Sequence, residues 1–189
     1  MFQHVTILIS FIFALALAHV FSSASLLILH RDRVLFSSLL ATTMLNAALG
    51  IIISWLFLWQ LQEIKRWSLG EVLLQLSWVI PQYFTVSLVA MSEREGSTLD
   101  MTAFYERQRR VIYVAFIVLF VMESVEVYGD RHNLASWTSD EWVAAVLTNA
   151  SLGVCAAIAG WAKARWLQWL GVVGMLAANV WFLVGYTLG

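Results

Sequence analysis

Six long apolar runs follow one another along this chain, at approximately 5–29, 34–60, 69–91, 110–128, 141–161 and 167–187, with short polar connections between them. A helix of about 20 residues, rising about 1.5 Å per residue, crosses a hydrocarbon core about 30 Å thick. No water in that core satisfies a backbone amide or carbonyl, so each run must close its own hydrogen bonds as a helix. The pattern predicts an all-α fold: a polytopic integral membrane protein, with a bundle of about six transmembrane helices forming one domain over residues 1–189. Composition agrees, because 61% of the residues are hydrophobic and only 12% charged, far from the balance of a soluble domain. The single proline, Pro81, lies inside the third run and is expected to kink it without ending it. The first run has no basic segment before it and is too long for the core of a typical signal peptide, so it is read as a retained helix.

Charge is sparse, and its placement orients the bundle. Arg31, Arg33, Arg94, Arg107, Arg109, Arg110, Lys163 and Arg165 fall in the first, third and fifth connections, against Lys65, Arg66 and Arg131 in the others. The positive-inside rule then puts the odd connections in the cytoplasm and both termini outside. The opposite side carries acids instead: Glu63, Asp130, Asp140 and Glu141. Trp59, Trp67, Trp137, Trp142 and Trp181 fall toward the outer interface, and Trp161, Trp166 and Trp169 toward the inner one, as aromatic belts do. A net charge of -1 gives no basic surface for a nucleic acid. With one cysteine, Cys155, there is neither an intrachain disulfide nor a cysteine-based metal cluster.

Before the fourth run the chain reads SEREGSTLDMTAFYERQRR. Gly96 and Ser97 suit a turn and Asp100 a helix cap, after which Met101, Phe104 and Tyr105 are expected on the lipid and Arg107, Arg109 and Arg110 among headgroups. That arrangement is read as stop-transfer anchoring, with a regulatory contact to anionic lipids in the bilayer or to a protein as the alternative. The stretch LDMTAFYERQRR ahead of an apolar span, Ala18-His19 in the first span and WLFLW in the second together resemble a widespread set of small bacterial polytopic membrane proteins whose activity is uncharacterised. The resemblance implies a bacterial inner membrane and lends no activity.

Small residues mark two packing seams: Ala150, Gly153, Ala157, Gly160 and Ala164 in and after the fifth span, and Gly171, Gly174, Ala178 and Gly185 in the sixth, which ends in a GxxxG pair, Gly185 to Gly189. In lipid, helices associate by close backbone approach, so these two seams are expected to pack on one another. A spare seam would also serve a homo-oligomer.

Ionisable groups at bilayer depth cost about 2.5–3.5 kcal/mol on insertion scales and so raise a functional question. Counting about 1.5 Å per residue from Arg110 puts Glu123 roughly 20 Å and Glu126 roughly 24 Å up the fourth span. The two acids share a helical face. Glu71 begins the third span at a similar outer depth, and Glu71, Gln75, Trp78 and Gln82 continue as one polar stripe. These groups are expected to form the outer mouth of a polar path or, alternatively, an interfacial cluster of glutamates reaching into headgroups. His19, Asn46, Asn149 and Asn179 fall near mid-span. Each suits a helix-to-helix hydrogen bond, and His19, the histidine at depth, also suits a proton carrier.

Other chemistries lack their residues. Haem held by two histidines needs a second deep one, whereas His4, His30 and His132 fall near span ends or in loops. The metalloprotease HExxH, the hydrolase GxSxG, the P-loop and the potassium-filter TVGYG are absent. No cofactor is implied, although carboxylates at Glu71, Glu123 and Glu126 would suit a hard cation. The expectation is a small channel or transporter for a cation or protons, with Glu123, Glu126, Glu71, Gln75, His19 and Asn46 along its path. The alternative is a non-catalytic sensor, assembly factor or lipid-interacting scaffold whose polar residues bind helices together.

Overall fold

The structure, a computed structural model, describes residues 2–63, 67–91, 99–130 and 138–185, apart from the side chains of Gln60, Glu63, Asp130 and Gly185. Those residues form α1 (Phe2–Leu29), α2 (Ser38–Phe57), α3 (Leu69–Val89), α4 (Met101–Asp130), α5 (Ser139–Trp161) and α6 (Arg165–Gly185). All six helices are long and apolar enough to cross a membrane. The turn expected at Gly96 and Ser97, the charges Arg94, Lys65, Arg66 and Arg131, His132, Trp137 and the last glycine of the GxxxG pair lie outside the described residues.

Local chemistry sets where the helices begin. The Ser37 hydroxyl accepts from the Leu40 N–H, so α2 starts at Ser38 rather than at the expected position 34. Val34–Leu35 (β1) is extended instead and pairs in parallel with Leu99–Asp100 (β2), tying the first and third connections together at one end of the bundle. Asp100 accepts from the Ala103 N–H and caps α4. That helix therefore begins nine residues before the apolar run that marks it in sequence, counting from Met101 to Arg110, because the basic amphipathic turns are continuous with the span. Pro81 leaves α3 helical through to Val89.

Helices α2, α3, α4, α5 and α6 form a ring in that order, closed by contact between α6 and α2. Outside the ring, α1 lies against α2 and α3. It buries Val5, Ile9, Phe13, Ala16, Val20 and Ser23, a stripe at spacings of three and four, and turns Ile7, Phe11, Phe21 and Ile28 outward. Ser23 accepts from the Met91 N–H, which fastens the far end of α1 to the end of α3.

The two small-residue seams do not face one another. A Cβ at Gly171 of α6 would run into the Cys155 carbonyl and sit 2.8 Å from the Ala159 nitrogen, and one at Gly174 would lie 2.9 Å from the Cys155 sulfur. The α6 glycines thus press on the Cys155 and Ala159 face of α5. Gly160 of α5 turns instead to α4, where its Cβ would lie 2.9 Å from Cβ of Tyr113, and Gly153 has nothing within 4 Å. Small residues bring helices close, but their spacing is silent about which neighbour arrives.

Candidate functional site

The five-helix ring encloses a cavity of about 460 Å³. Glu141, in the exposed first turn of α5, stands on its rim with Glu126 and Val127 of α4. Glu123 and Phe120 continue down α4, facing Trp78 and Gln82 of α3, and Asn46, Met175 and Thr85 lie deeper. Beyond Asn46 the bundle closes on the buried side chains of Leu39, Thr43, Tyr113 and Val172. The result is a blind vestibule with largely aliphatic and aromatic walls and a few polar groups.

Those polar groups are held by helix-to-helix hydrogen bonds. Asn46 Nδ2 donates to the Val172 carbonyl at 3.1 Å, and Asn46 Oδ1 accepts from Asn179 Nδ2 at 3.1 Å, joining α2 to α6. Gln82 Nε2 donates to Ser54 Oγ at 2.9 Å, joining α3 to α2. Gln75 Nε2 donates to Glu126 Oε1 at 3.4 Å and Gln75 Oε1 accepts from Trp78 Nε1 at 3.1 Å, joining α3 to α4. Three side chains are left over, one of them Asn149 of α5, half-buried on the cavity wall with no side-chain hydrogen bond to another described residue. Gln82 Oε1 is buried without a hydrogen-bond partner, and Glu123 faces the cavity with no hydrogen bond or ion pair to another described residue.

Sequence expectations divide accordingly. Glu123, Glu126 and Asn46 line the cavity together, with Gln75 one hydrogen bond behind Glu126. Glu71 is held elsewhere: its carboxylate accepts from the Ser68 N–H while Ser68 Oγ accepts from the Glu71 N–H at 3.2 Å, a capping box that starts α3. His19 is exposed on α1, outside the ring, with Nε2 3.1 Å from the Tyr83 hydroxyl. Among the described residues no three His, Cys, Asp or Glu side chains come together as a metal-holding group, so Glu71, Glu123 and Glu126 do not form the hard-cation site considered above.

At the opposite end of the bundle Arg107 and Arg110 are exposed, but the Arg109 side chain is only 13% exposed and pairs with Glu106 at 3.5 Å. Met101 and Tyr105, expected on lipid, are instead in the core. Tyr105 OH lies 3.3 Å from Tyr113 OH, which lies 2.9 Å from Thr43 Oγ1, a buried chain of hydroxyls across α4 and α2. The polar stripe read from the sequence does bring Trp78 and Gln82 to the cavity, but sequence reasoning did not single out the hydroxyl chain, nor Ser54 and Glu141 as cavity groups. One signal was readable: the spacing Thr138-x-x-Glu141 repeats Ser68-x-x-Glu71, and Glu141 Oε2 does accept from the Thr138 N–H at 2.7 Å and its hydroxyl at 2.9 Å.

Compared with known proteins, the chain matches no family model, no curated protein and no solved structure.

Proposed function

We propose that this protein is a small permeation protein of a bacterial inner membrane, a channel or transporter for a cation or protons. The observation that supports the reading is the carboxylate-bearing cavity inside a ring of membrane-length helices, with Glu123 and Glu126 on its wall and Glu141 at its rim. Carboxylates at the mouth of a low-dielectric cleft concentrate cations there. In the proposed orientation both termini and the rim face outward, and the basic odd connections face the cytoplasm. Because the bundle is closed beyond Asn46, passage requires a rearrangement of that end, with the Tyr105, Tyr113 and Thr43 hydroxyls on the route. Arg107 and Arg110 meet anionic headgroups, and a homo-oligomer forms through a spare small-residue face, as at Gly153, where nothing lies within 4 Å of an added Cβ. Cation or proton flux in liposomes is the test: wild type conducts, Glu123→Gln loses most of the flux, and a wild type with no flux of any cation overturns the reading.

A second reading, a non-catalytic sensor, assembly or scaffold module, draws support from a different observation. Asn46, Asn179, Gln75 and Glu71 are engaged in hydrogen bonds that fasten or cap helices. On that reading Glu123→Gln changes nothing beyond stability.

A further inference from the structure

The cavity is far larger than an inorganic ion or a file of water needs. At about 30 Å³ per water, a volume of about 460 Å³ instead matches the clefts of roughly 300–1,000 Å³ that take small organic ligands, lined mainly by apolar and aromatic groups with a few placed polar ones. Several of its donors are engaged inside the protein: Asn46 Nδ2 on Val172, Gln82 Nε2 on Ser54, Thr85 Oγ1 on Pro81 and Thr148 Oγ1 on Ala144, whereas the half-buried Asn149 amide keeps both its donor and its acceptor open to the cavity. The group fully buried without a partner is an acceptor, Gln82 Oε1, on a side chain only 1% exposed, and the neighbouring helix α4 adds the Glu123 carboxyl group to the same cavity. A buried acceptor without a donor is costly, so the complementary ligand brings N–H groups. Three carboxyl groups, Glu123, Glu126 and Glu141, favour a positive one. The walls beside them are aromatic: Phe116 and Phe120 stack at 6.0 Å, and Phe57 and Phe182 at 5.1 Å. Such faces accept an apolar body and attract a cation.

Resting on the permeation reading, we propose that the cavity binds a small protonated organic amine with an apolar body, its ammonium on Glu123, an N–H reaching Gln82 Oε1 and its body against Phe116, Phe120 and Phe182. A lipid headgroup amine carries a phosphate beside it, which the three carboxyl groups would repel, so the ligand is a free amine. The full chain in phosphatidylcholine nanodiscs, titrated calorimetrically with phenethylammonium, should bind saturably. Phenylacetate, of the same shape and opposite charge, and potassium ion should not bind. Glu123→Gln should weaken binding at least tenfold and Gln82→Leu severalfold, while Gln82→Glu, which keeps an acceptor, should retain it, each variant first checked for a monodisperse elution profile and an unchanged helical spectrum. Phenethylammonium that fails to saturate, or affinity equal in wild type, Glu123→Gln and Gln82→Leu, overturns the proposal, as does phenylacetate binding equally well. Flux separates this from the reading beneath it. Potassium or proton flux that phenethylammonium neither joins nor inhibits overturns the amine site and leaves permeation standing, whereas saturable amine binding without flux of any cation leaves the site and removes permeation.

Discussion

Glu123 is where the competing readings give different numbers. Its carboxyl group has no partner among the described residues and faces a largely apolar cavity, so charge, shape and burial can be separated by two substitutions. As a cation site, Glu123→Gln keeps the shape, preserves folding and removes most of the flux. Glu123→Leu likewise abolishes flux and leaves the melting temperature unchanged or raised, because no donor is stranded and a polar group leaves an apolar wall. Unchanged flux with a stabilised Leu variant would end the permeation reading at this residue. Asn46 predicts the opposite balance. Asn46→Leu removes the second hydrogen bond of the Val172 carbonyl and strands Asn179 Nδ2, and should cost about 1 kcal/mol, measured by unfolding in mixed detergent micelles. A smaller loss in an Asn179→Leu background would show that the two side chains act as a pair.

At the scale of elements, the glycines of α5 and α6 are not interchangeable although each lies in a stripe of small residues on one helical face. Gly171→Ala drives a methyl into the Cys155 carbonyl and the Ala159 backbone; since neither can rotate away, the helices must separate, at a cost of about 1–3 kcal/mol. Gly153→Ala meets nothing within 4 Å and should be neutral or slightly stabilising, because alanine favours the helix by about 1 kcal/mol over glycine. Equal effects of the two in thermal unfolding would mean that α6 sits on a different face of α5. The same logic gives the start of α3 a measurable anchor: Ser68→Ala removes an acceptor from the Glu71 N–H and should destabilise by about 1 kcal/mol.

For the whole molecule the decisive quantity is which end of the vestibule meets which compartment. The β1–β2 pairing joins the first and third connections at the end remote from the Glu141 rim, so one labelling experiment orients everything. In a Cys155→Ser background, a membrane-impermeant maleimide added outside intact cells should label Ser139→Cys and leave Asp32→Cys unlabelled until the membrane is opened; both positions are exposed. The reverse pattern would turn the vestibule toward the cytoplasm. Exposed Trp59 and Trp181 lie toward the rim end, and Trp161 and Trp166 at the other, in two belts that flank the apolar band.

Helix number and approximate extent were legible along the chain because they depend on local quantities. A run long enough to cross hydrocarbon must be helical whatever surrounds it, and caps such as Asp100 act within one turn. The polar stripe of α3 was legible for the same reason, as Gln75, Trp78 and Gln82 fall on one face by helical geometry alone, and all three are buried. Only the tertiary structure decided what each face meets. Tyr105 and Met101 turned out to be core rather than lipid-facing, Arg109 turned inward, and His19 stood outside the ring, while Glu71 was held by its own helix start. In a membrane an apolar side chain is equally at home against lipid or protein, so hydrophobicity, which separates inside from outside in a water-soluble chain, leaves the rotation and the neighbours of each helix to packing and hydrogen bonding.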